Sequence, residues 1–147
     1  MRFVRISQPE LDKIRKLYES VMSQASHGLF YREGTALGKI IVEMAREDRE
    51  NFLGTASRLI KGRGWVDDIA FQKDSVIAKG SIETVDSATE PTCHRLRGII
   101  HAVAEEAFDK KLICMEVLCK STGHAYCEFN LGEMEEVEYV GSESADG

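Results

Sequence analysis

Apolar residues at Leu11, Ile14, Leu17, Tyr18, Val21 and Met22 recur every three or four positions with charges between them, the spacing that gathers one apolar stripe on a helix. The pattern predicts a first helix from about Pro9 to Ser26. His27-Gly28 is expected to end it, because glycine accepts the left-handed geometry past a helix C-terminus. After Gly34, Leu37, Ile40, Ile41, Met44 and Ala45 repeat the stripe, and Phe52, Leu53, Ala56, Leu59 and Ile60 do so again, predicting helices two and three. From Trp65 the period shortens. Trp65, Ile69 and Phe71 alternate with Val66, Asp68 and Ala70, and Val76, Ala78 and Ile82 follow the polar turn Gln72 to Ser75, as in a β-hairpin. Pro91 suits the first turn of a fourth helix over about 92 to 109, which carries Leu96, Ile99, Ile100, Val103, Ala107 and Phe108. Lys111 to Lys120 and Ala125 to Leu131 are β-rich and are joined by Ser-Thr-Gly-His, predicting a second hairpin.

The order is therefore ααα-ββ-α-ββ. Helices segregated from strands that hairpin in pairs predict an α+β fold, an antiparallel sheet of two hairpins packed with about four helices. At 147 residues and 43% apolar, the chain suits one domain with a real core. Its net charge of -6 disfavours a broad nucleic-acid footprint or attraction to anionic lipid. From Glu133 to Asp146 there are six acids and no base, so the rest of the chain carries equal numbers of each sign. A single domain over 1–139 with an acidic, fraying tail over 140–147 is expected. The N-terminal residues show no signal-peptide stretch and no run approaches a membrane span, so a cytoplasmic protein is expected. Four cysteines in that compartment point to metal ligands or buried thiols ahead of disulfides.

Cys93, Glu116, Cys119 and Cys127 are the constellation with the most chemistry, since three thiolates and a carboxylate can fill the tetrahedral shell of zinc. Pro91 is expected to set Cys93 in the first turn of helix four, where free amides and the positive helix end favour a thiolate. The other three come from the second hairpin, so a metal there pins helix to sheet and its loss loosens the domain. Residues three apart on a regular strand face opposite sides, so Glu116 and Cys119 converge only through a bulge or a strand end. Cys114, His94 and His124 are competing ligands on spacing alone, and buried thiols filling core space are the plain alternative.

The stretch Thr92-Cys93-His94-Arg95-Leu96-Arg97-Gly98, followed by the E-x2-C-x7-C hairpin from Glu116 to Cys127 and ending in Cys127-Glu128-Phe129, resembles the V4R (vinyl-4-reductase) family, most closely over 92–131. Gly34 to Ala45, GTALGKIIVEMA, fits the earlier part of that family. The resemblance implies a mixed helix and antiparallel-sheet domain similar to Bet3-type tethering-complex subunits, enclosing an apolar pocket for small or hydrocarbon-like molecules. It also implies structural zinc on Cys93, Glu116, Cys119 and Cys127, with Cys114 as a buried thiol. The polar residues with which phenol sensors of the family hold a hydroxyl have no match here. Arg95, Arg97 or Lys120 are candidates to offset the formal charge of such a site, with ordinary solvated surface charge the plain alternative and the preferred one for Arg97.

Four protein ligands leave no position for water, so the site reads as structural and the chain as more a binder than an enzyme. Candidate pocket residues are the inward stripes Leu37, Ile41, Met44, Leu59, Trp65, Phe71, Ile99 and Val103. Other motifs fail. Gly34 to Ile40 is one residue short of a phosphate loop and lacks its Ser or Thr, and Gly62-Arg63-Gly64 precedes a strand rather than opening a helix. No G-x-S-x-G elbow occurs, and His101 on helix four suits a structural role. The expected function is a zinc-stabilised sensor or carrier domain acting by occupancy, alone, as a homodimer or through a downstream regulatory protein. The alternatives are a tetrapyrrole vinyl reductase or its accessory, which lacks any flavin or nicotinamide fingerprint here, and a Bet3-like interaction subunit.

Overall fold

The computed structural model describes residues 1–134, so the fraying end expected after Tyr139 and the acidic segment 140–147 lie outside the described residues. Four helices, α1 (Gln8–Met22), α2 (Ala25–Ala45), α3 (Phe52–Gly62) and α4 (His94–Phe108), accompany four strands, β1 (Asp68–Phe71), β2 (Ser75–Lys79), β3 (Leu112–Leu118) and β4 (Cys127–Glu133). The order is the expected ααα-ββ-α-ββ. All strand pairs are antiparallel, and the sheet runs β1-β2-β4-β3, so the two hairpins join through β2 and β4.

Inward residues of the sheet, Ile69, Val76, Ala78, Leu112, Cys114, Phe129 and Leu131, meet Leu96, Ile99, Ile100 and Val103 of α4 in one core. Helix α2 crosses the other side of α4. Helix α1 begins with a reciprocal cap: Glu10 N–H donates to the Ser7 hydroxyl at 3.4 Å, and Ser7 N–H donates to Glu10 Oε1 at 2.8 Å.

The first helix does not run to His27-Gly28. It ends at Ser23, whose φ of 54° turns the chain, and α2 then runs for 21 residues straight through Gly28, Gly34 and Gly38. Packing overrides helix propensity here. A Cβ on Gly34 would stand 2.0 Å from the Arg95 carbonyl oxygen, and one on Gly98 would stand 2.2 Å from that of Tyr31. The two helices touch backbone to backbone where these glycines face each other, an approach that no larger residue permits.

Side chains of α4 cover the free edge of β3. Leu112 N–H donates to Glu105 Oε2 at 2.8 Å, His101 Nε2 donates to the Leu112 carbonyl at 2.6 Å, and Arg97 donates to the Cys114 carbonyl at 3.3 Å. The Tyr31 hydroxyl donates to His101 Nδ1, so both ring nitrogens are used and His101 is structural. These contacts occupy backbone groups of Leu112 and Cys114 at the start of the edge, which would otherwise be open to strand pairing.

Gly98→Ala is expected to lower stability by roughly 2 to 3 kcal/mol in urea unfolding, as overpacking of a tight contact does. Gly28, with nothing within 4 Å of an added Cβ, is the control: Gly28→Ala should be neutral or stabilising by up to about 1 kcal/mol. Equal effects at the two positions would contradict the close helix crossing.

Candidate metal centre

Cys93, Glu116, Cys119 and Cys127 converge: one donor atom from each lies within 4.8 Å of all the others. Four local features bring this about. Cys93 is the N-cap residue of α4, one position before the helix, not within its first turn as its sequence context suggested. A register shift between Glu116 and Leu118 breaks the β3 alternation, which lets Glu116 and Cys119 face the same side. A single 3-10 turn, Lys120–Thr122, closed by Gly123 at a φ of 104°, then reverses the chain, and Cys127 opens β4.

The distances suit a four-coordinate soft cation. Arms of about 2.3 Å to sulfur give a tetrahedron with edges of about 3.8 Å. Cys93 Sγ and Cys127 Sγ are 3.8 Å apart, and Cys127 Sγ and Cys119 Sγ are 4.0 Å apart. Both separations are far beyond the bond length of a disulfide, and all four cysteines are free. Glu116 Oε1 accepts the Cys93 N–H at 3.1 Å, while its Oε2 is buried with no partner among the described residues. A buried carboxyl oxygen left over in this way, beside three thiols, is what a metal ligand looks like without its ion.

Electrostatics explain why the cluster wants a cation. Hydrogen bonds from Cys127 and Cys93 pull the Cys119 thiol well below its ordinary pKa. Those two thiols give up their protons less readily in turn: hydrogen bonding to Cys119 pushes Cys127 up to about 12, and bonds to Cys119 and Cys127 hold Cys93 well above the thiol range. Burial, with the Cys119 charge behind it, pushes Glu116 up to about 8. Burial and mutual hydrogen bonding thus set the four groups against ionising together, a conflict that a bound cation would relieve.

This corrects the expectation of a thiolate favoured by the helix end at Cys93. The free amides of α4 are already taken. Glu83, buried and unsuspected from the sequence, accepts the Leu96 N–H at 2.8 Å and the Arg95 N–H at 3.2 Å, and pairs with the Arg95 guanidinium at 3.4 Å. Burial pushes Glu83 up to about 7 against the pull of these donors.

The offsetting charges are also arranged differently from the sequence expectation. Arg95 is turned to Glu83 and to Glu33, the latter at 2.7 Å, and Arg97 lies over the Tyr31 ring. Lys120 contributes a backbone N–H to Cys127 and carries an exposed side chain. Small polar residues take the role instead: Ser81 Oγ lies 3.2 Å from Cys93 Sγ, and the Thr92 N–H and Ser121 bond Cys119. Small hydroxyl residues carry no sequence signal for such a task.

The competing ligands stand apart. Cys114 is buried in the sheet, where burial pushes it up to about 12. His94 stacks on His27 with ring centroids 4.0 Å apart, and burial depresses it to about 4, while His124 is exposed.

Seven of the eight apolar positions proposed for a pocket lie in the core or against it. Ile41, Ile99 and Val103 are fully buried in the core, and Leu37, Leu59, Trp65 and Phe71 pack at its margin. Met44 is exposed rather than inward, its sulfur accepting from Arg63 at 3.4 Å. A surface cleft of about 1110 Å³ of open space lies between α2 and α4 and is lined by charged residues such as Lys39, Arg46, Glu106 and Lys111.

Glu83→Ala is expected to cost about 3 kcal/mol, because it strands Arg95 and two helix amides, yet to leave metal content unchanged. Urea unfolding beside elemental analysis checks both. Loss of metal without loss of stability would make Glu83 a ligand rather than a helix anchor.

Residues 75–133, from β2 to the end of β4 and so containing all four donors, match the V4R domain. No curated protein sequence matches the chain. Among solved structures, the phenol-responsive sensory domain of the transcription activator PoxR with phenol superposes on 97% of this chain and 83% of its own, with a TM-score of 0.77 at 18% identity. A vinyl-4-reductase family protein from Methanocaldococcus jannaschii does so over 91% and 85%, with a TM-score of 0.65, also at 18% identity. At such identity the likeness is one of fold.

Proposed function

We propose that this domain, which shares the fold of a phenol-responsive sensory domain and of a vinyl-4-reductase family protein, is a zinc-stabilised receptor module of V4R/Bet3-like type for a small hydrophobic, hydrocarbon-like molecule, acting by occupancy rather than turnover. One observation carries the reading: three thiols and a carboxyl, drawn from the α4 N-cap and the last hairpin, meet within 4.8 Å. The donor set favours zinc, which accepts mixed thiolate and carboxylate ligands in a closed tetrahedron. Cys93, Glu116, Cys119 and Cys127 would hold it, and its chemistry there is that of a clamp, with no ligand position left for water or substrate.

The small-molecule part rests on the fold shared with a phenol-responsive sensory domain. A ligand entering between α2, α3 and the first hairpin would have to displace Leu37, Leu59 and Trp65 at the margin of the core, since α4 is fixed to the sheet by the clamp. Entry therefore shifts the outer helices against a rigid metal-bound half, and a partner protein reads that shift. No helix among the described residues is long and apolar enough to cross a membrane, which suits the cytoplasmic setting proposed here.

Protein purified without added zinc is expected to hold about one zinc per chain by elemental analysis. Cys93→Ser and Cys127→Ser should each abolish it, and Cys114→Ser should retain it. Equal loss at Cys114 would overturn the ligand assignment. Removal of the metal with a chelator should destabilise the domain by about 4 kcal/mol for a site filled a thousandfold above its dissociation constant. Native mass spectrometry tests the receptor reading: a small molecule retained in substoichiometric to equal amount supports it, and a chain that stays empty and indifferent to a panel of hydrocarbons and phenols contradicts it.

A further inference from the structure

Residues 80–93 join β2 to α4 without forming a helix or a strand, yet Ser81, Glu83, Thr84 and Thr92 within them are buried. Buried backbone outside regular structure needs hydrogen-bond partners from elsewhere. One residue supplies several. Ser121, itself buried in the turn Lys120–Thr122, accepts the Val85 N–H on its Oγ at 2.9 Å and the Ala88 N–H on its carbonyl at 2.8 Å. Its Oγ also lies 2.6 Å from Thr92 Oγ1.

The turn that carries Ser121 is shaped by the metal donors on either side of it. The Thr122 N–H, the Thr122 hydroxyl and the His124 N–H all donate to the Cys119 carbonyl, at 3.1, 2.9 and 3.2 Å. Ser121 bonds Cys119, and the Lys120 N–H bonds Cys127. Residues 80–93 hold two helices in their turn. Glu83 accepts the Leu96 N–H at the head of α4 at 2.8 Å, and the Thr84 carbonyl accepts from Gln8 Nε2 at the head of α1 at 2.7 Å.

We propose that residues 80–93 are a metal-dependent latch. A cation on Cys93, Glu116, Cys119 and Cys127 fixes the Lys120–Thr122 turn, Ser121 in that turn fixes the segment, and the segment fixes the start of α1. This rests on the zinc reading of the cluster. Release of the metal frees the segment and α1 together, while α2, α4 and the sheet stay joined. The division follows from what holds each part. The α2–α4 crossing is a backbone contact at Gly34 and Gly98, and α4 meets the sheet through Ile99, Ile100 and Val103, none of which involves the cluster. The segment depends on polar bonds to one serine, and no residue of α1 is buried. Ser87, Thr89 and Glu90 of the segment face Arg15, Glu19 and His27 across a cleft of about 750 Å³ of open space, so the latch also sets the width of that cleft.

Hydrogen exchange of the full 147-residue protein, read amide by amide with zinc bound and after chelation, tests the latch. Chelation is expected to speed exchange at Val85, Ala88 and Ile14 at least tenfold more than at Ile41 and Ile100. In zinc-saturated Ser121→Ala, Val85 should exchange at least tenfold faster than in the parent, with Ile100 unchanged. Gln8→Ala should speed Ile14 and leave it indifferent to chelation, while Val85 keeps its response to zinc. A uniform rise that includes Ile100 would overturn the proposal, as would a Val85 amide indifferent to zinc or to Ser121→Ala, or an Ile14 that responds to chelation equally in the parent and in Gln8→Ala. Protein that takes up no zinc by elemental analysis would overturn the metal reading and the latch together, whereas zinc-bound protein with an unresponsive segment would overturn the latch alone.

Discussion

Three sulfur atoms and a carboxyl group held within 4.8 Å in a buried site impose the constraint on which the rest of this domain depends. Such a group cannot carry its full negative charge alone. Either protons stay on Cys93, Cys127 and Glu116 at the expense of one strained, unsatisfied cluster, or a divalent cation takes their place. The cation solution joins elements far apart in the chain, the N-cap of α4 and both strands of the last hairpin. A chain of hydroxyls adjoins the cluster: Ser81 Oγ lies 3.2 Å from Cys93 Sγ, and Thr92, 2.6 Å from Ser121, donates to the carbonyl of Glu83, whose carboxylate caps α4.

Attachment is uneven across the fold. Helix α4 is tied at one end by the Glu116–Cys93 bond and Glu83, along its length by the glycine crossing with α2, and on a third side by His101, Glu105 and Arg97 on the β3 edge. Helix α1 has none of these ties. It is attached by Gln8 to the Thr84 carbonyl at 2.7 Å, by the stack of Tyr18 on Phe30 and by the Glu19–His27 pair.

Much of this was legible in the sequence because periodicity is local physics. The 3.6-residue stripes of α3 and α4 and the two-residue alternation of both hairpins come from which side of each element meets the core, and the four metal donors followed from their resemblance to the V4R pattern. What escaped was set by contacts between distant segments. Gly28 reads as a helix stop until Gly34 and Gly98 are seen to require each other, after which a single α2 becomes the only way to cross α4 so closely. Glu83 gives no sign of being an α4 cap, because the amides it serves lie more than ten residues further on. Met44 belongs to a stripe by spacing but sits on its outer margin, and of the α1 stripe Leu17 and Val21 are exposed while Tyr18 stacks on Phe30.

The most direct test of the metal clamp is the X-ray absorption fine structure of the protein as purified, recorded at the zinc edge. The account predicts a first shell of three sulfurs at about 2.3 Å and one oxygen at about 2.0 Å. A shell dominated by nitrogen and oxygen, or the absence of zinc from folded protein of full stability, would contradict it.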